Sequence, residues 1–286
     1  MTQNLTIACV QYEPRIGKLS ANREESIERA DAAVKDGAQL VVLPELASSG
    51  YVFESRREAL ELSEQADGPA VSAWTTFAQR NNVHIVAGFC ELAGSDLHNS
   101  AAIIGPHGLI GIYRKAHLWN EEALVFERGD VGFPVYNTEI GRLGALICYD
   151  GWFPEAWRML ALQGAEVVCM PTNWVPMPNS DHQPLAMANI LVMGAAHSNS
   201  VFVAAADRVG IERGQPFLGQ SVIAGPDGWL CAGPASGSEP ETLLATVDVA
   251  AARRGRALNK FNQVLRDRRA DLYGEMLGSN AKPSWY

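Results

Sequence analysis

The sequence predicts a single α/β domain with a mixed β-sheet, and two observations carry that prediction. Short apolar strands alternate with amphipathic helices, and elsewhere pairs of strands flank Gly- and Pro-containing turns. Helical crossovers join parallel strands whereas tight turns join antiparallel ones, so a chain with both indicates a mixed sheet. No Ser/Gly-rich linker and no block of charge divides the chain. One domain over residues 1–286 is therefore favoured.

The first part of the chain alternates strand and helix. Residues 5–11 (LTIACVQ) are β-prone, and Asn22 and Glu25 have capping-box spacing ahead of a helical pattern. Residues 40–44 (LVVLP) and 84–89 (HIVAGF) indicate buried strands. The helix predicted between them has its apolar positions at Val71, Trp74, Phe77 and Ala78.

Hairpins appear in the second part of the chain. Turn residues at 106–108 (PHG) and 225–228 (GPDG) each separate two short apolar runs. Residues 142–150 (RLGALICYD) predict a strand that runs into a helix from Pro154. The remaining elements are a strand at 166–171, a helix from Pro184 to about Asn199, and a strand at 201–206.

The C-terminal stretch, from about residue 253 to 286, is basic, polar and interrupted. It predicts a tail that packs on its own subunit or on a neighbouring one.

Composition excludes several classes of function. A net charge of −9 gives no general attraction to phosphate backbones, so a nucleic-acid partner is not expected. The five cysteines form no C-x-x-C pair and no zinc pattern with histidine, and phosphate- and dinucleotide-binding motifs are absent. No secretory signal and no apolar run of about 18 residues is present, so we expect a cytoplasmic protein without membrane contact. Any enzymatic reaction is expected to need no cofactor and no metal.

Three polar residues stand at or near the ends of apolar strands: Glu45, Lys115 and Cys148. Taken singly, each has an ordinary interpretation, because Glu and Lys are mostly solvated and a Cys in an apolar strand is usually core. Functional groups gather at strand ends in α/β sheets, where the backbone holds them rigidly. Together they provide a base, a cation and a thiol, which suffice for acyl transfer. The other cysteines (Cys9, Cys90, Cys169 and Cys231) are interpreted as packing residues.

The residues around these three positions resemble the nitrilase superfamily of carbon–nitrogen hydrolases. The three blocks that carry the resemblance are LPEL at 43–46, YRKAHL at 113–118 and ICYD at 147–150 followed by FPE at 153–155. Further matches, including Gln11, Asn99, PTNW at 171–174 and DRVG at 207–210, extend it over nearly the whole chain.

The resemblance implies a four-layer αββα sandwich with two mixed sheets, and subunits that pair as homodimers or larger assemblies. It also implies a catalytic set of Glu45, Lys115 and Cys148 with a second glutamate, and an oxyanion contact from the backbone N–H of Tyr149. Glu122 fits the family pattern E-x-x-x-F-x-x-G, whereas the adjacent Glu121 is one residue out of register.

The sequence restricts the possible substrate classes only in part. Nitrilases carry Trp-Glu after the cysteine, and Tyr149-Asp150 here disfavours a nitrile. Enzymes of N-carbamoyl α-amino acids place an arginine just beyond the cysteine, where this chain has Gly151, Trp152 and Phe153, although Arg208 or Arg213 could serve from elsewhere. A neutral acyl group suits the aromatic candidate pocket residues, which are Tyr51, Trp119, Trp152, Asn173 and Trp174.

The sequence therefore predicts an amidase that hydrolyses a small primary amide to carboxylate and ammonia through a cysteine thioester. The alternative is an N-carbamoyl-amine amidohydrolase of the carbamoylputrescine type, whose amine could meet Glu54, Glu121 or Asp181. A nitrilase and a non-catalytic family member are less favoured. A redox thiol protein is disfavoured as well, because this chain has no plausible resolving cysteine for Cys148.

Overall fold

The computed structural model describes residues 4–177 and 185–277. Its strands are β1 (Asn4–Gln11), β2 (Leu40–Val42), β3 (His84–Ala93), β4 (Asp96–Gly105), β5 (Gly108–Arg114), β6 (Val135–Thr138), β7 (Gly141–Ala145), β8 (Val167–Pro171), β9 (Phe202–Ala206), β10 (Ile211–Glu212), β11 (Gln215–Pro216), β12 (Val222–Ala224), β13 (Leu230–Ala232) and β14 (Glu241–Asp248). Its α-helices are α1 (Leu19–Lys35), α2 (Arg56–Leu62), α3 (Pro69–Asn81), α4 (Pro154–Leu162), α5 (Met187–Asn199), α6 (Ala250–Arg254) and α7 (Ala270–Leu277). Two 3-10 helices span Asn120–Leu124 and Cys148–Trp152.

The strands form two six-stranded mixed sheets with the same pattern of pairing. The first sheet has the order β14-β1-β2-β3-β4-β5 and the second β6-β7-β8-β9-β12-β13. In each sheet the second, third and fourth strands are parallel, and every other neighbouring pair is antiparallel. Strands β10 and β11 form a separate small hairpin. The predicted mixed sheet is confirmed, and it occurs twice.

The alternation of side chains along β1 shows how the layers are built. Leu5, Ile7 and Cys9 belong to the core shared by the two sheets, whereas Ala8 and Val10 pack with residues of α1 and α3. Successive strand residues point to opposite faces, so one strand serves both layers. Helices α4 and α5 add buried residues to the second sheet. The predicted αββα sandwich is confirmed.

One predicted helix start is wrong. Asn22 does not cap α1, which begins three residues earlier at Leu19. Its amide is buried and ties the helix to two loops: Oδ1 accepts from Arg15 N at 2.8 Å, and Nδ2 donates to Arg15 O and Ser48 O. Pro184, the predicted start of the later helix, lies outside the described residues; α5 is described from Met187.

The C-terminal stretch contacts its own chain over the part that the structure describes. Arg253 Nε donates to Glu166 Oε1 at 2.5 Å, and Arg256 donates to the carbonyl of Ala165 at 3.0 Å. Leu265 packs against the core of the second sheet. Within the described ranges, no helix combines the length and apolarity needed to cross a membrane.

Candidate active site

The three sequence-predicted polar residues meet where strands of both sheets end. Glu45 follows β2 and Lys115 follows β5 in the first sheet, and Cys148 follows β7 in the second. All three are buried, with 1% of Glu45, 1% of Lys115 and 7% of Cys148 exposed. The site therefore lies between the two sheets and takes residues from each.

Lys115 is held between two carboxylates. Its Nζ donates to Glu45 Oε1 at 2.6 Å and to Glu122 Oε1 at 2.7 Å. Glu122 rather than Glu121 makes this contact, since Glu122 is buried at the start of a 3-10 helix and Glu121 is exposed. A buried ammonium without a partner would cost several kcal/mol, and the two carboxylates compensate the charge of the lysine at this depth.

Glu45 has one engaged oxygen and one open oxygen. Asn99 Nδ2 donates to Oε1 at 2.7 Å, beside the Lys115 contact, and among the described residues nothing hydrogen-bonds to Oε2. Burial raises the pKa of Glu45 and Lys115 lowers it, while the negative charge of Glu122 raises it again, to about 7. A carboxyl with this pKa can both accept and return a proton near neutral pH.

Burial alone would lower the pKa of the Lys115 ammonium. The charges of Glu122 and Glu45 outweigh burial and raise its pKa above the ordinary value. Lys115 therefore remains a cation over the range in which Glu45 titrates.

Cys148 is not part of a strand, contrary to the prediction. β7 ends at Ala145, and Cys148 opens a 3-10 helix with a positive φ of 44°. Such a backbone is strained for a residue other than glycine, and strain of this kind clusters at functional sites. The turn directs the chain sharply from sheet to helix at the thiol.

The thiol of Cys148 is neutral when the site is at rest. Burial raises its pKa well above the ordinary value, and the charge of Glu45 adds to this. Lys115, the Thr172 hydroxyl and the backbone N–H of Asn173 oppose the shift without reversing it. A thiol with such a pKa can act as a nucleophile only where a base removes its proton.

One cavity is lined by Cys148, and two further cavities share lining residues with it; together they contain the predicted pocket residues. Trp119, Tyr149, Trp152, Asn173 and Trp174 line a space with Cys148 whose walls are mostly apolar. A second cavity, of about 90 Å³, contains Tyr51, Trp119 and both neighbouring glutamates. A third, of about 60 Å³, continues past Trp152 and Trp174 to apolar residues of and near α5.

Two of the predicted pocket residues also support the polar cluster. The hydroxyl of Tyr51 donates to Glu122 Oε1 at 2.7 Å, and the amide of Asn173 donates to the carbonyl of Glu45 at 2.9 Å. Trp174 is almost fully buried, and its backbone N–H donates to Asp207 at 2.8 Å. Trp152 and Trp119 are half-buried at the cavity walls.

The charged residues proposed from sequence for substrate ends have other partners or positions. Arg208 is buried over the ring of Phe217 and lies 3.3 Å from Glu212, and Arg213 pairs with Glu58 at 2.6 Å. Glu54 is exposed and lies 3.7 Å from Arg213. Asp181 lies outside the described residues.

Sequence reasoning did not assign a role to two buried residues of the site. Asn99 is a family match in the sequence, and its amide donates to Glu45. Asp150 is part of a family motif in the sequence, and its carboxylate takes part in four hydrogen bonds. The available signal was a polar residue within an apolar run, as in LHNSAAII and ALICYD. Among the described residues, no group of three or more His, Cys, Asp or Glu side chains is placed to hold a metal ion.

Comparison with known proteins shows the family of this chain. The model of the carbon–nitrogen hydrolase family matches residues 6–257. A nitrilase of Pyrococcus abyssi is 41% identical over 93% of this chain and 98% of its own length. An N-carbamoylputrescine amidase of Solanum tuberosum is 34% identical over 96% of this chain and 97% of its own.

Solved structures are also similar to this chain. The crystal structure of an amidase from Nesterenkonia sp. superposes with a TM-score of 0.78 at 27% identity, covering 96% of this chain and 97% of that one. A mutant of that amidase carries the acetamide moiety of fluoroacetamide covalently added at its active-site cysteine. The chain belongs to the carbon–nitrogen hydrolase family and is a hydrolase that acts on carbon–nitrogen bonds.

Proposed function

We propose that the protein hydrolyses small primary amides to a carboxylate and ammonia, with Cys148 as the nucleophile. One observation carries the proposal. Glu45, a buried carboxyl of pKa about 7, accepts a hydrogen bond from the buried ammonium of Lys115, and both lie at Cys148, whose backbone is strained and whose thiol is neutral. A base, an oxyanion partner and a thiol are what acyl transfer from nitrogen to sulfur requires. The amidase of similar structure, with its covalently modified cysteine, supports the same chemistry.

The first half of the reaction forms a thioester. Glu45 takes the proton of Cys148 as the sulfur attacks the amide carbonyl carbon. The Lys115 ammonium and the backbone N–H of Tyr149 hold the oxyanion; early N–H groups of a helix have no partner within it. The tetrahedral intermediate then collapses, its C–N bond breaks, and Glu45 gives its proton to the departing nitrogen, which leaves as ammonia.

The second half releases the acid. A water molecule loses a proton to Glu45 and attacks the thioester carbonyl, again with Lys115 facing the oxyanion. The C–S bond breaks, the sulfur recovers its proton from Glu45, and the product leaves as the carboxylic acid, which loses its remaining proton to solvent and becomes the carboxylate. Glu122 holds the ammonium of Lys115 in place throughout, and Tyr51 holds Glu122.

A neutral acyl group is favoured by the walls around the thiol. Trp152 and Trp174 lie on the same cavity as Cys148, and that cavity continues to an apolar recess at Met187 and Leu218. The two arginines considered for a carboxylate clamp are engaged with Glu212 and Glu58. An aliphatic or aromatic amide therefore fits better than one that carries a carboxylate.

A second candidate is hydrolysis of an N-carbamoyl amine. The cavity beside Lys115 is lined by the exposed Glu121, and its described lining contains no Lys, Arg or His. A cationic end of the substrate would be attracted there. The relative of Solanum tuberosum, an N-carbamoylputrescine amidase, supports this candidate.

The test measures ammonia release from a panel of primary amides, N-carbamoyl amines and nitriles. We expect the highest kcat/KM for a neutral primary amide, and no turnover above background for Cys148→Ala. Cys169→Ala is the matched control, because Cys169 is equally buried in the neighbouring strand β8 and should remain active. A fully active Cys148→Ala protein would refute the mechanism, and a panel led by N-carbamoyl amines would replace the first candidate with the second.

A further inference from the structure

Asp150 is fully buried, two residues after Cys148, and accepts hydrogen bonds from two separate segments of the chain. Its Oδ1 accepts from the backbone N–H of His117 at 3.0 Å and contacts the Nδ1 of the same ring at 2.8 Å. Its Oδ2 accepts from the hydroxyl of Tyr113 at 2.7 Å and from the backbone N–H of Ile147 at 3.0 Å.

The residues that contact Asp150 lie on either side of Lys115 in the sequence and next to Cys148. Tyr113 and His117 stand two residues before and two residues after Lys115. Ile147 directly precedes Cys148, and Asp150 itself follows two residues later. One carboxylate thus joins the segment that carries the cation to the turn that carries the thiol, although the two belong to different sheets.

The partners of Asp150 are themselves fixed. Burial and the neighbouring charge of Asp150 raise the pKa of the Tyr113 phenol, so it stays a hydrogen-bond donor over the working range of pH. The ring of His117 stacks on Phe153, with ring centroids 3.7 Å apart and planes within 10°. A carboxylate with this many donors is held in one orientation, and it transmits that orientation to the segments it joins.

We infer that Asp150 is a positioning residue that sets the location of the Cys148 sulfur relative to Lys115. It acts through Ile147, Tyr113 and His117 and makes no contact with substrate. The inference rests on the proposed function, because it assigns Asp150 a role in the same Glu45–Lys115–Cys148 site. Misplacing a reacting atom by about 1 Å can cost on the order of 100-fold in rate.

Asp150→Asn is the direct test, because the amide has the same shape but only one acceptor oxygen. Its NH2 group faces a backbone N–H wherever it points, that of His117 or that of Ile147, so one of these two hydrogen bonds is lost and the joined segments must shift. We expect kcat for the best amide of the panel to fall by about 10- to 100-fold, with KM changed by less than about twofold. Tyr113→Phe removes one of the four bonds and serves if the first variant fails to fold; we expect a fall of about 3- to 10-fold.

A second readout needs no substrate. Iodoacetamide alkylates Cys148 at a rate that depends on Glu45 removing the proton from sulfur, and peptide mass spectrometry separates Cys148 from the exposed Cys231. We expect Asp150→Asn to slow alkylation at Cys148 by tenfold or more and to leave Cys231 unchanged. A merely structural role predicts the opposite, because a loosened site would expose the buried thiol and speed its reaction.

Glu166→Gln is the matched control. Glu166 is as buried as Asp150 and accepts from Arg142 N and Arg253 Nε, but it precedes β8, whereas the site lies at the other end of that strand. We expect a comparable loss of thermal stability with unchanged kcat and unchanged alkylation at Cys148.

The inference is overturned if Asp150→Asn and Tyr113→Phe both keep wild-type kcat, or if alkylation of Cys148 becomes faster. Those outcomes leave the proposed function intact as long as Cys148→Ala is inactive. Turnover that persists in Cys148→Ala instead refutes the proposed function, whatever the Asp150 variants show.

Discussion

In the proposed mechanism, Glu45 must meet two demands that pull its pKa in opposite directions. The base must be ionised to take the thiol proton, and it must be acidic enough in its protonated form to deliver that proton to nitrogen. Burial and Glu122 favour the neutral acid, whereas Lys115 and Asn99 favour the carboxylate, and the balance lies near pH 7. A solvated glutamate with a pKa near 4.3 would be a much weaker base toward sulfur.

The pH dependence of the reaction follows from this balance. Below about pH 7, kcat/KM should fall about tenfold per pH unit, because protonated Glu45 cannot act as the base. Asn99 donates to the carboxylate and so lowers its pKa; Asn99→Leu should therefore raise the pKa of Glu45 and move the acidic limb to higher pH. The charged and titratable groups that share this environment are Lys115, Glu122, Cys148, Asp207 and Tyr51.

The measurement is a pH profile of kcat/KM for both proteins on one amide. Ser100→Ala is the control, since Ser100 is the next residue of β4 and bonds Glu91 instead of Glu45. An acidic limb that stays in place in Asn99→Leu, or that moves equally in Ser100→Ala, would contradict the assignment of that limb to Glu45.

Strand β3 fixes the turn that carries Glu45. Gly88 donates its N–H to the carbonyl of Pro44 at 3.1 Å, and a Cβ at this position would lie 2.5–2.6 Å from backbone atoms of Leu46, Glu45 and Pro44. Only glycine allows the strand to pass this close. The backbone around the base is therefore positioned by contact with a neighbouring strand as well as by its own hydrogen bonds.

Gly88→Ala should displace that turn, because the obstacle is backbone and cannot move aside as a flexible side chain would. We expect a loss of about 1–3 kcal/mol in the free energy of unfolding, together with a fall in kcat. Gly194→Ala gives the contrast, since an added Cβ in the exposed part of α5 meets nothing within 4 Å. It should stabilise by up to about 1 kcal/mol without affecting turnover. Denaturant unfolding measures the free energy of unfolding of both variants. A Gly88→Ala protein with wild-type stability and wild-type kcat would refute the role assigned to Gly88.

The outer face of the second sheet's helices exposes apolar side chains. Met159 and Leu162 recur three residues apart on α4, and Met187 and Ile190 do so on α5, each between 46% and 51% exposed. The two helices contact each other, and we expect these exposed side chains to form one apolar patch.

A homodimer that covers this patch is the expected assembly. Sedimentation should give the mass of two chains, and the double variant Met159→Glu, Ile190→Glu should give the mass of one. Leu60→Glu is the control, because Leu60 is equally exposed but lies on α2, a helix that contacts β3 of the first sheet. A dimer that persists in the double variant would place the interface elsewhere.

The sequence was informative about local periodicity and uninformative about contacts between distant segments. The sequence predicts strands β1, β3 and β8 and the hairpins β4–β5 and β12–β13, because their apolar patterns and turn residues are local. Strand β14 was missed, since its pairing with β1 joins Asn4 to Asp248 and no local pattern reports such a partner. Glu45, Lys115 and Cys148 are recognisable in the sequence because they lie in short motifs that resemble the family. The roles of Asn99 and Asp150 depend on partners that are distant in sequence, so only the structure reveals them.

The identical pairing pattern of the two sheets divides the chemistry between two halves of the chain. The residues before β6 supply the base, the ammonium and the second carboxylate, and those after it supply the thiol. Neither half holds a complete reaction centre. Strand β14 belongs to the thiol half yet completes the sheet of the other half along the whole of β1. If the chain were cut in the loop before β6, the first fragment would present an open strand edge that matches only the second. Amide hydrolysis by the mixed fragments would then be a direct assay for the association of the two fragments.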